Sequence, residues 1–143
     1  MPVADLETAR ILFDGGRLRQ ARELRGYSKA DLAAAVEVSP TAIAQFEGGA
    51  SRPSRERLAR LADELEVAPA FFAGDRPRFE VAETEVHFRS LRSTPQRNRA
   101  RARAEVALLA EFVTLLRRDV SWPAVDLPTV PADATPVEAA RMA

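Results

Sequence analysis

Two helix starts stand eleven residues apart, and no other feature of the chain restricts its fold as tightly. Ser28 precedes KADLAAAV with Asp31 three positions on, a capping box with Asp in place of Glu. Ser39 precedes PTAIAQFE and puts Pro40 at the first helical position, where its missing N–H is not needed. Little more than Glu37 and Val38 is left to join the two helices. Such a short link forces a steep crossing, with Val38 folded under to pack on both helices. Ala33 falls at the crossing, where only a small side chain lets the backbones approach.

Further helices flank this pair. Asp14 can cap GGRLRQARELR, with Leu18, Ala21 and Leu24 on one face and Gly26 ending it. Ser54 can cap the next, which places Leu58, Leu61, Ala62 and Leu65 at helical spacing. A short fifth helix is expected from Pro69, burying Phe72. Within the central pair, Leu32, Ala35 and Val36 are the expected inward face of the first helix, and Ile43 and Phe46 that of the second. A tight corner between two short helices is the helix-turn-helix arrangement, whose second helix can enter a DNA major groove. A small helical bundle with no role on DNA would have the same corner.

Beyond Gly74 the pattern changes. Pro77 breaks helix, and Phe79, Val81, Val86 and Phe88 alternate enough to expect a strand or an irregular arm. The longest helix is expected over Gln96 to Arg118, with Ala104, Leu108, Phe112 and Leu115 at helical spacing. Its stripe of Leu108, Phe112, Leu115 and Leu116 is large for a lone helix and is expected to meet a partner chain or another domain. The tail from Asp119 carries Pro123, Pro128, Pro131 and Pro136 and reads as an extended linker. Thr135-Pro136 resembles a new helix start, so the end reads as a truncation. The fold class expected is all-α: a five-helix domain over 14–74, a connector arm and long helix over 75–118, and a Pro-rich linker or truncated start of a further domain over 119–143.

Composition narrows the chemistry. The 143 residues include no cysteine and one histidine, His87, so thiolate metal sites and cysteine nucleophiles are excluded and a two-histidine zinc site cannot form. His87, between Val86 and Phe88, is expected to be a packed or half-exposed imidazole. No apolar run approaches the ~20 residues of a membrane span, and the first residues lack a secretory pattern, so a cytoplasmic chain is expected. Lys and Arg balance Asp and Glu at 21 each, yet residues 15–60 carry +4 and residues 88–104 carry +6. Zero net charge therefore does not exclude a nucleic-acid partner, because binding follows the local patch. The Arg run at 97, 99, 101 and 103 cannot all face one side of a helix, and a solvated or domain-packing role is expected.

The stretch from Arg17 to Pro69 resembles the Cro and lambda-repressor class of helix-turn-helix domains, also called the xenobiotic-response-element class. The resemblance is carried by S-K-x-x-L-A, V-S-x-x-x-I, Q-F-E-x-G, R-P and L-x-x-L-A in order over about fifty residues. It implies DNA-binding roles for Lys29, Ser39, Pro40, Thr41, Gln45 and Arg52. Lys29, Ser39 and Arg52 would meet the backbone, while Pro40, Thr41 and Gln45 would face the bases. Gln45 suits direct readout, since a carboxamide can pair bidentately with adenine. Arg22 and Glu47 match the ion pair that ties the first helix of such domains to the end of the third. Three residues depart from the pattern: Glu37 stands at a turn position that is commonly Gly, Ala44 replaces a frequent polar residue, and Gly48 replaces a side-chain amide.

Downstream, FFAGDRP and EVHFRSLRSTP resemble the connector of longer ImmA/IrrE-type regulators, where a zinc metallopeptidase domain follows. The H-E-x-x-H that such a peptidase needs is absent. The function expected is therefore a non-enzymatic, sequence-specific transcriptional regulator, with repression favoured. It would need no cofactor and would bind double-stranded DNA as a homodimer. The alternative is an antitoxin-like or remnant module that binds a separately encoded peptidase or toxin through the Gln96–Arg118 helix.

Overall fold

The computed structural model describes residues 6–79, 81 and 95–121. Among them run six α-helices: α1 (Leu6–Ile11), α2 (Gly15–Leu24), α3 (Lys29–Ala35), α4 (Pro40–Glu47), α5 (Arg55–Leu65) and α6 (Gln96–Asp119). Local capping sets four of the starts. Asp14 accepts from the Gly16 N–H, Ser28 from Asp31, Ser39 from Ala42 and Ser54 from Arg57. The stops are equally local. Gly26 and Glu66 both take positive φ, which turns the chain out of α2 and α5.

One core serves α1 to α5. Leu18, Leu32, Ile43, Leu58, Leu61, Leu65 and Phe72 are fully buried together, with Val38 packed against them. The expected fifth helix is a single 3-10 turn over Pro69–Phe72. Two elements differ from the sequence expectation. Helix α1 precedes the first helix marked by a cap, and contributes the buried Ala9. Ala35, expected inside, is exposed, whereas Ala33 is buried at the crossing as expected. The steep crossing onto α4 brings the Ala33 side of α3 inward, and a seven-residue helix has no length for a second inward row.

The only β contact among the described residues is an isolated bridge that joins Phe13 to Ala73. It closes with Asp14 N–H to the Phe72 carbonyl at 2.9 Å and Gly74 N–H to the Leu12 carbonyl at 2.8 Å. The rest of the expected arm, His87 included, and the Pro-rich tail after Ser121 lie outside the described residues. Two compact units divide the chain, Met1–Val113 and Thr114–Ala143.

Within the first unit α6 turns Ala104, Ala107 and Glu111 inward. The expected apolar row does not form one face: Ala104 is buried, Leu108 half-buried and Phe112 exposed. Of the Arg run, Arg97 and Arg101 are exposed while Arg99 and Arg103 are half-buried. Arg101 pairs with Glu105 one turn on at 2.9 Å.

The contact between α2 and α6 is polar at its centre. Arg17 is fully buried, and its Nη1 donates to Glu111 Oε2 at 2.5 Å and to Gln20 Oε1 at 2.8 Å. Its Nη2 donates to the carbonyls of Arg76 at 3.1 Å and Pro77 at 2.8 Å. Gln20 Nε2 completes the cluster by donating to Glu111 Oε1 at 3.0 Å. A buried guanidinium is tolerated only while such partners replace its water. Glu111→Ala leaves Arg17 without its counter-charge and is expected to cost about 3 kcal/mol or more. Denaturant unfolding checks this, and the loss should shrink when Arg17→Met is added.

Candidate nucleic-acid interface

The corner between α3 and α4 is made by the backbone. Val36 N–H donates to the Leu32 carbonyl at 3.0 Å and Val38 N–H to the Ala33 carbonyl at 2.9 Å. Between them Glu37 takes φ 55, the left-handed conformation that disfavours a side chain. Val38 then turns in against the core, and Ser39 begins α4 at once.

Helix α4 has two distinct sides. Ile43 and Phe46 are buried, while Ser39, Pro40, Thr41 and Gln45 are exposed. Thr41 and Gln45 are one turn apart and so project from the same side. Ala44 is half-buried beside them and adds no polar group. The Ser39 hydroxyl oxygen accepts from the Ala42 N–H at 3.1 Å, which leaves its proton to donate outward. After α4 the chain leaves through Gly48, which keeps helical φ, and Gly49, which takes φ 73. Pro53 anchors the loop by full burial.

The far end of α4 is held at Glu47. Arg22 Nε donates to Glu47 Oε1 at 2.5 Å and Arg22 Nη2 to Oε2 at 3.1 Å, a two-pronged pair with both side chains nearly out of water. The third arm of Arg22, Nη1, donates to the Tyr27 carbonyl at 2.9 Å. Backbone contact tightens the same joint. A Cβ on Gly15 would lie 2.1 Å from the Phe46 carbonyl oxygen, so only glycine lets the start of α2 meet the end of α4.

The cations lie around this frame. Lys29, half-exposed at the start of α3, stands 3.7 Å from Glu47 Oε2 and keeps its other donors toward solvent. Arg52, exposed in the loop after α4, donates from Nη1 to the Ile11 carbonyl at 3.0 Å, so it also closes the end of α1. Arg60 pairs with Glu37 at 2.7 Å. At the first turn of α3, the Ser28 hydroxyl and then its backbone N–H hold the Asp31 carboxyl below the usual Asp range. The arrangement thus offers an uncapped polar edge on Thr41 and Gln45, flanked by donors from Lys29, Ser39 and Arg52. An edge of that kind can lie along base edges with phosphate contacts at its ends.

The resemblance marks Arg22, Lys29, Ser39, Pro40, Thr41, Gln45, Glu47 and Arg52, but not Gly15, Tyr27 or Arg60. The sequence gives no sign of Arg17 and Gln20, which brace α2 from behind, because neither sits in an apolar row. The available signal is Glu111, the only charged residue from Val106 to Leu116. Among the described residues no group of three or more His, Cys, Asp or Glu is placed to hold a metal ion. No helix among them is long and apolar enough to cross a membrane.

Glu37→Gly should remove the positive-φ strain and add about 0.5–1 kcal/mol, since the exposed pair it loses with Arg60 is worth little. Thermal unfolding should show a midpoint several degrees higher. A folded-state pKa below the unfolded one adds stability above the unfolded value, and this is lost as pH falls through the folded one. The melting-point gap between the wild type and Asp31→Ala should therefore be full above about pH 5 and narrow below about pH 4.

Comparison with known proteins places this geometry. Residues 18–72 match the helix-turn-helix family. The chain is 35% identical over 66 residues to the uncharacterized HTH-type transcriptional regulator y4aM of Sinorhizobium fredii. That match covers 46% of this chain and 46% of the relative, so the chain spans about half the length of the curated protein it matches. No solved structure matches it.

Proposed function

With residues 18–72 a helix-turn-helix domain, we propose that this chain is a sequence-specific DNA-binding transcriptional regulator that uses α4 as its recognition helix. The observation that carries the reading is the exposed side of α4, held rigid at Glu47 and flanked by Lys29 and Arg52. Its regulatory role rests on the name of the relative, which is itself an HTH-type transcriptional regulator.

Each side chain then has a task. Gln45 pairs with an adenine edge, and Thr41 touches a thymine methyl or a phosphate. Ser39 and Lys29 donate to phosphates, and Arg52 reaches the backbone beside α1. Pro40 presses its ring on the groove wall and keeps α4 short at that end. Eight residues of α4 cover only a few base pairs, so two copies on half-sites about 34 Å apart supply the specificity. The proposal is a cytoplasmic, non-enzymatic homodimer without a cofactor, acting as a repressor. The relative's name supports the regulator over the alternative, a module for a separate peptidase or toxin.

A duplex selected from a random pool tests the reading by anisotropy titration at several salt concentrations. Gln45→Ala should cost about 1–3 kcal/mol on the selected duplex and nothing on a scrambled one. Lys29→Ala should weaken both alike and lower the salt slope by about one. Unchanged binding by both variants would remove α4 from the interface.

A further inference from the structure

The long helix has a second face that the domain does not use. Ala102, Val106, Leu109, Val113 and Leu116 follow at intervals of four, three, four and three residues, and Val120 continues the spacing just past the end of α6. This is the heptad seam of a coiled coil, with Val at each a position and Leu at two of the three d positions. Arg99 takes the next a position upstream and ends the seam there.

The structure shows which way the seam faces. Ala104, Ala107 and Glu111, which occupy b and f positions, are buried on the domain. At 3.6 residues per turn, Val106 and Leu109 lie on the other side of the helix from them. Val106 is 45% exposed and Leu109 61%, and Phe112, flanking the seam, is 56% exposed. Docking on the domain therefore turns Val106 and Leu109 of this row outward, with Ala102 and Val113 half-buried on either side of them.

We infer that this row is the dimer interface: α6 pairs with α6 of a second copy as a short parallel coiled coil in register. The occupant follows from the residue types. β-Branched residues at a with Leu at d favour two parallel strands, and a twofold pairing sets each seam residue beside its own counterpart. The inference rests on the regulator reading only for the need of a second half-site; the seam and its exposure stand apart from it. A seam this short buries less than the ~800 Å² per partner of a standard stable interface. The dimer is therefore weak in solution, and neighbouring half-sites strengthen it by raising the effective concentration.

The chain has no cysteine, so single-cysteine variants of the full chain report directly on pairing. Val106→Cys and Leu109→Cys, oxidised without DNA, should each give a covalent dimer, since facing seam positions lie within disulfide reach. Arg101→Cys, exposed but off the seam, should give at least about tenfold less. Leu109→Glu should raise the dimer dissociation constant in sedimentation equilibrium by about tenfold or more while leaving the melting of the domain unchanged. Equal cross-linking of all three variants, none at either seam position, or cross-linking at only one of them would each overturn the parallel seam. So would a wild type that stays monomeric at every concentration. Because no DNA is present, these outcomes are independent of whether Gln45 reads bases.

Discussion

The carboxylate of Glu47 governs what the corner can present. It terminates α4 and receives both prongs of Arg22, whose remaining nitrogen holds the Tyr27 carbonyl just before α3 begins. One guanidinium thus ties together the end of α2, the approach to α3 and the end of α4. Gly15 brings the start of α2 onto the Phe46 carbonyl, so the joint is closed by backbone as well as by charge. A buried two-pronged pair of this kind adds little net stability over apolar packing, but it has one geometry. For a helix that must place a carboxamide within hydrogen-bond distance of a base, fixed geometry is what counts.

Helix α2 makes polar contacts on two flanks. Arg22 serves α4, while Arg17 and Gln20, on the opposite flank, serve Glu111 of α6 and the carbonyls of Arg76 and Pro77. The other buried residues of α6 are Ala104 and Ala107, which bury little apolar area. The buried charge therefore decides the rotation of α6 about its own axis: only one setting brings Glu111 to Arg17. That same setting turns Val106 and Leu109 outward. The polar cluster orients a helix more than it glues one.

Local chemistry was the legible part of this fold. The caps at Asp14, Ser28, Ser39 and Ser54 depend on neighbours within a few residues, and the structure shows each where the sequence marks it; Glu37, marked by the resemblance as a position commonly Gly, takes positive φ. The side of α4 that faces water was legible for the same reason, because Ile43 and Phe46 fix the opposite side. What depends on distant partners was not. Ala35 fits the apolar pattern of α3, yet the crossing onto α4 leaves it outside. Arg17 reads as one more surface cation until a carboxylate 94 residues away covers it. On α6 the large residues suggested a partner chain or another domain, and Phe112 is exposed, but nothing marked Ala107 as part of the face that turns inward.

The most direct test of the central claim is a map of which backbone amides respond to DNA. In a nitrogen–proton correlation spectrum of the full chain, titration with a duplex should shift residues 28–31 and 39–46 and the loop around Arg52. Shifts confined to another surface, with those of Thr41 and Gln45 unmoved at saturation, would contradict the account.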